Sequence, residues 1–104
     1  MAKPDASNQT RPDIESRPQT RQPPMYKVLM HNDDYTTMEF VVYVLQVVFH
    51  HSPASASRIM LHIHKAGIGV AGLYTRDIAE TRVEQVMQLA REAGHPLQCS
   101  MEPE

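Results

Sequence analysis

Thr36-Thr37-Met38-Glu39, continued by Phe40-Val41-Val42-Tyr43-Val44-Leu45-Gln46-Val47-Val48-Phe49, is the stretch on which the fold turns. Valine fills five of the ten positions 40–49, and β-branched residues, stiff at χ1, favour strands. Length and start signal argue the other way. The run is longer than the five or six residues of an ordinary strand. It opens with the Thr-x-x-Glu spacing of a capping box, in which Thr36 and Glu39 would each satisfy a free backbone group at a helix start. The spacing predicts a helix from Thr36 to about His50, apolar enough to be buried on most sides.

Upstream, Met25-Tyr26-Lys27-Val28-Leu29-Met30-His31 reads as a first strand, ended by the turn-forming Asn32-Asp33-Asp34. Downstream, Ser52-Pro53 supplies an N-cap and a proline at the first helical position. Ala56, Ile59, Met60 and Ile63 follow at helical spacing, and Gly67 closes this second helix. Ile68 to Tyr74 alternates loosely around Gly69 and Gly72, as a strand with a bend or a close backbone approach. Thr75 is placed to cap a third helix whose apolar face is Ala79, Val83, Val86, Met87 and Ala90, with Gly94 as its stop. Leu97, Cys99 and Met101 alternate with polar residues as a last strand. The order β-α-α-β-α-β predicts an α+β fold: a small, mostly antiparallel three-stranded sheet with three helices packed on one face.

Residues 1–24 hold five of the eight prolines and no aromatic residue, which predicts a disordered N-terminal tail ahead of one folded domain, 25–104. A domain of that size buries roughly 60 % of the surface its unfolded chain exposes, so a shallow groove costs it less than a deep internal site. The net charge of −2 arises from 10 basic and 12 acidic residues with no basic run to follow a phosphate backbone, which argues against nucleic acid. No apolar stretch approaches a membrane span, a single cysteine forms no internal disulfide, and the N-terminus lacks a signal-peptide h-region; a cytoplasmic location is expected.

Asp33 and Asp34 are the first candidates for chemistry, since neighbouring carboxylates bind cations or split each other's pKa. Local chemistry alone reads them first as a solvated turn; their place ahead of a helix N-terminus keeps them ionised, so any chemical role suits a cationic ligand better than general acid work. Six histidines raise the question of zinc, yet His62 and His64 are two apart on a helix and face opposite ways, and no metal motif accompanies them. No metal and no cofactor are expected. His64 falls one turn after Met60 and beside Ile63, at the rim of a possible apolar pocket; an exposed histidine without a role is the alternative. Cys99 reads as a buried structural thiol, the serines near 52 as a helix start, and the methionines as a pliable apolar lining or simply core. Nothing assembles a catalytic triad, and no enzyme activity is expected.

Asn32-Asp33-Asp34-Tyr35-Thr36 with Met38-Glu39-Phe40-Val41, Met60-Leu61-His62-Ile63-His64, Gly72-Leu73-Tyr74-Thr75, Ala79-Glu80-Thr81 and His95-Pro96-Leu97 together resemble the ClpS family of Clp protease adaptors. The resemblance covers residues 25–102 in order. It implies an adaptor that binds N-degrons, substrates whose first residue is Leu, Phe, Tyr or Trp, and hands them to the AAA+ unfoldase ClpA, working as a monomer. It implies that Asn32, Asp33, Asp34 and His64 hold the substrate α-amino group. The first side chain would enter a pocket of Thr36, Met38, Val41, Met60, Ile63 and Leu97. Asp77, Glu80 and Arg82 would form the unfoldase contact, with Arg82 where a lysine is usual. Thr37 stands where the family commonly has proline, which is expected to loosen the helix start slightly. The rival readings are a non-catalytic α+β assembly module and a metal-dependent hydrolase using Asp33 and Asp34.

Overall fold

The computed structural model describes residues 23–104. The expected tail, 1–24, lies outside them apart from Pro23 and Pro24, which carry no regular structure. The elements are β1 (Met25–His31), α1 (Met38–Val47), α2 (Pro53–Ala66), β2 (Ile68–Thr75), α3 (Arg76–Ala93) and β3 (Gln98–Pro103). β1 is the central strand of the sheet β2-β1-β3, and both its pairings are antiparallel. This is the expected α+β order, and the valine-rich stretch is a helix.

Its start differs from the capping-box reading by one residue. Thr37, not Thr36, is the N-cap, accepting the Phe40 N–H on its hydroxyl at 3.1 Å. Thr36 is drawn into the preceding turn instead, where its hydroxyl and its N–H both donate to the Asp33 carboxylate at 2.7 Å. A charged acceptor makes the stronger bond, which leaves the next threonine to cap. Glu39 is then the second helical residue, one short of the position from which it could bond back to the cap, though it still lies in the first turn, where negative charge is favoured. A proline at 37 would have no side-chain acceptor, so threonine there supplies the cap rather than loosening it. Thr37→Ala is expected to lower the unfolding free energy by about 1 kcal/mol, read as a shifted urea midpoint at constant slope; no shift would mean that the cap is redundant with the Asp33 turn.

Helix α1 also ends earlier than His50, at Val47. The chain turns through Val48 and places His50 in the left-handed region (φ 61°). Next to it, His51 donates from Nε2 to the Ala71 carbonyl at 2.6 Å. Ala71 is the extra residue of a bulge in β2, since Val28 pairs with Gly72 but Leu29 with Val70. An extra residue leaves ladder groups unpaired, and here the histidine takes one of them.

The start and stop signals of the other helices are where the sequence puts them. Ser52 accepts the Ser55 N–H and Pro53 opens α2, while Gly67 closes it in a left-handed conformation (φ 89°). Thr75 precedes α3 without a side-chain cap bond, and Gly94 (φ 77°) ends it. α3 crosses all three strands, α2 lies along β2, and α1 packs on α2. Val28 and Met30 of β1, Val44 and Leu45 of α1, Ile63 of α2 and Val86 of α3 close the core. Cys99 joins it, and burial pushes its thiol up to about 12, far from the thiolate that a nucleophile needs. Among the described residues, no helix is long and apolar enough to cross a membrane.

Candidate functional site

The turn between β1 and α1 is built on Asp33. One carboxylate oxygen accepts the N–H groups of Tyr35 (2.8 Å) and Thr36 (2.7 Å), and the other accepts the Thr36 hydroxyl. This is an Asx turn, with the side chain doing locally what backbone carbonyls do in a longer loop. Burial by itself would push the Asp33 carboxyl up. The backbone and side-chain hydrogen bonds from Thr36, the backbone hydrogen bond from Tyr35 and the charge of His95 together hold it below the ordinary carboxylate value. Asp33 is thus a fixed anion and the frame of the loop.

With the frame set, its neighbours point outward. Asn32 and Asp34 are exposed on either side of Asp33, and neither is used in the turn. The Asn32 N–H donates to the Gly67 carbonyl at 2.9 Å, which ties this loop to the C-terminal end of α2. That end carries Met60, Ile63 and His64. Between loop and helix lies a cavity of about 250 Å³ lined by two chemically distinct sets of residues. Asn32, Asp33, Asp34 and His64 form the polar set, and Thr36, Met38, Val41, Met60 and Ile63 the remainder. It is smaller than the roughly 300–1,000 Å³ of sites that take drug-sized ligands, a size suited to one side chain.

Nine of the ten residues expected around the ligand therefore meet at one cavity. Leu97 does not. It is 2 % exposed and belongs to the core, because the chain enters β3 just after it and turns the side chain inward with Cys99. A more open groove of about 340 Å³ runs between α1 and α3, but Glu92 is the only ionisable residue on its walls. Size alone does not make it the better candidate.

The three residues expected to meet a partner sit near the start of α3 but not on one side of it. Positions 77 and 80 share a face at helical spacing, and both side chains are exposed, Glu80 pairing with Arg76 at 3.5 Å. Arg82, two residues beyond Glu80, is turned some 200° around the axis. Its guanidinium lies 5.6 Å from the centre of the Tyr74 ring and donates to Gln85 at 3.3 Å. No group of three or more His, Cys, Asp or Glu among the described residues is placed to hold a metal ion, so Asp33 and Asp34 have no third ligand there.

Two contributors to the site were not legible from local spacing. His95 packs at a tilt against Phe40, ring centres 4.6 Å apart, and its charge reaches Asp33; only the return of the chain after α3 brings it there. The Gly67 carbonyl, read as part of a helix stop, is also the anchor of Asn32.

The family profile described as "ATP-dependent Clp protease adaptor protein ClpS" matches residues 21–100. Proteins called ATP-dependent Clp protease adapter protein ClpS are similar along most of the chain. That of Maricaulis maris is 58 % identical over 89 residues, 86 % of this chain and 82 % of its own length. That of Desulfatibacillum aliphaticivorans is 61 % identical over 85 residues, 82 % of each. Among solved structures, Agrobacterium tumefaciens ClpS2 bound to L-phenylalaninamide superposes with a TM-score of 0.77 at 44 % identity, covering 80 % of this chain and all of that one.

Proposed function

Since the chain belongs to the ClpS family of Clp protease adaptors and is a non-catalytic adaptor, we propose that its cavity captures the free N-terminal residue of N-degron substrates, Leu, Phe, Tyr or Trp, for delivery to the ClpA unfoldase. The observation that carries this reading is the adjacency of two unlike surfaces. Asn32, Asp34 and His64, all exposed, share the lining with the apolar Met38, Val41, Met60 and Ile63, of which Val41 and Ile63 are buried. An α-amino group with pKa near 8 is mostly cationic at neutral pH and offers three N–H donors. A carboxylate, an amide oxygen and an unprotonated imidazole are the acceptors it requires. Asp33, its oxygens engaged in the turn, adds negative charge and holds Asp34 and Asn32 in place. The neighbour's ligand, L-phenylalaninamide, has this pair of features: a free α-amino group and an apolar side chain one carbon away.

Burying that side chain contributes about 1.5–3 kcal/mol, and the polar contacts contribute on a similar scale. Selectivity requires both. The reading extends to the exposed acids Asp77 and Glu80, with Arg82, as the ClpA contact, and to a cytoplasmic monomer. Titration with labelled peptides that differ only in residue one tests it. Leu and Phe are expected to bind at least about ten-fold more tightly than Val, whose branched β-carbon crowds the mouth and whose side chain fills less of the cavity. Equal binding of the three overturns the reading.

A further inference from the structure

Gly69 touches no part of the cavity, yet the wall depends on it. It is buried in β2 opposite Met30, with α2 packed against it. A Cβ at this position would fall 2.6 Å from Ile63 Cγ1 and 3.6 Å from Ile63 Cδ1, with His62 Cδ2 at 3.3 Å. The first of these is closer than real Cβ atoms come. Ile63 is 2 % exposed, held between β2 on one side and the cavity on the other. The space it occupies is the space a side chain at 69 would take.

The overlap has no other easy outlet. α2 cannot lift away from β2, because Gly67 donates to the Ile63 carbonyl at 2.8 Å and accepts from Asn32 at 2.9 Å, and only Ile68 separates Gly67 from Gly69. Cγ1 sits on the stiff, β-branched part of a helical isoleucine, not at a free end. The side chain itself must give, toward the cavity. We propose that Gly69 is a specificity-determining position: by letting Ile63 withdraw against β2, it sets the depth of the cavity and with it the admission of aromatic first residues alongside leucine. The inference rests on the N-terminal-residue reading above.

The experiment measures binding of labelled peptides beginning with Leu, Phe or Trp to the full chain and to three variants, with thermal unfolding of each. Gly69→Ala is expected to lower Phe and Trp affinity relative to Leu by about ten-fold, the scale of one methylene in an apolar pocket. Ile63→Val, which removes Cδ1 while keeping Gly69, is expected to move the ratio the other way, toward Trp. In the double variant Gly69→Ala/Ile63→Val the branch at Cγ1 is still pushed toward the cavity but is one carbon shorter, so the ratio is expected to return to within about three-fold of the starting value. If Gly69→Ala fails to fold, the other two variants decide, and an unmoved ratio in Ile63→Val overturns the assignment. So does an unmoved ratio in a folded Gly69→Ala, or a double variant that keeps the single variant's ratio. A starting protein that is indifferent to residue one overturns the reading of the site itself; one that discriminates, with variants that do not shift the ratio, overturns the role of Gly69 alone.

Discussion

Acetylating the first residue of a Leu peptide is expected to weaken binding by at least about a hundred-fold. The modification removes the positive charge and leaves an amide N–H in place of three ammonium donors. Asp34 would then face a neutral group after losing part of its hydration, and the acceptors of Asn32 and His64 would compete for one hydrogen. Each polar partner left unmatched at a partly dehydrated site costs about 1–3 kcal/mol, and about 2.7 kcal/mol already corresponds to a hundred-fold. Fluorescence anisotropy with free and acetylated forms of one labelled peptide measures the difference. Asp34→Ala is expected to produce a smaller loss on the free peptide, about ten-fold, and almost none on the acetylated one. Tight binding of the acetylated peptide would mean that the carboxylates do not serve an ammonium group.

The second large effect concerns Asp33, whose role is architectural. Asp33→Ala removes three hydrogen bonds from one turn, leaving the Thr36 N–H without its acceptor at the approach to α1. A loss of about 2 kcal/mol is expected, equivalent to roughly 10 °C in Tm for a domain of this size. Peptide binding should fall further than stability does, since Asn32 and Asp34 lose the frame that aims them. Asp33→Asn separates the two contributions, because its amide oxygen can still accept from the backbone while the charge is gone. The acid limb of stability carries the same signature. The folded carboxyl lies below its unfolded value, so the group contributes stability above the unfolded value of about 3.9, and that contribution is lost as pH falls from there through the lowered folded value. Asp33→Asn should flatten this part of the curve, seen by calorimetry between pH 5 and pH 2.

Helix limits were readable because their signals are local: Ser52-Pro53, Gly67 and Gly94 each act through their own backbone. The error at α1 was also local in origin. Two threonines competed for one cap, and the outcome depended on Asp33, whose bond to Thr36 belongs to the turn rather than to the helix. Leu97, as buried as Ile63, packs in the core and does not line the cavity directly. Residues in the approach to a strand have no periodicity to fix their side, and the core claimed this one. The convergence of the 32–38 loop with the end of α2 could not have been derived from spacing, because it is created by the Asn32–Gly67 bond and by the packing of α2 on β2. The family pattern carried that information, and residue chemistry alone left the acids as a solvated turn.

Under the proposed reading, that single backbone bond bears on how the protein meets its ligands. It joins the two halves of the receptor at their base while the chain folds, so the loss of conformational freedom is incurred once, at folding, and is not repeated at each encounter. A small domain with a shallow pocket has few contacts with which to offset an ordering cost during binding. Having the Asn32 amide already committed to Gly67 leaves most of the modest attraction of one residue available as affinity.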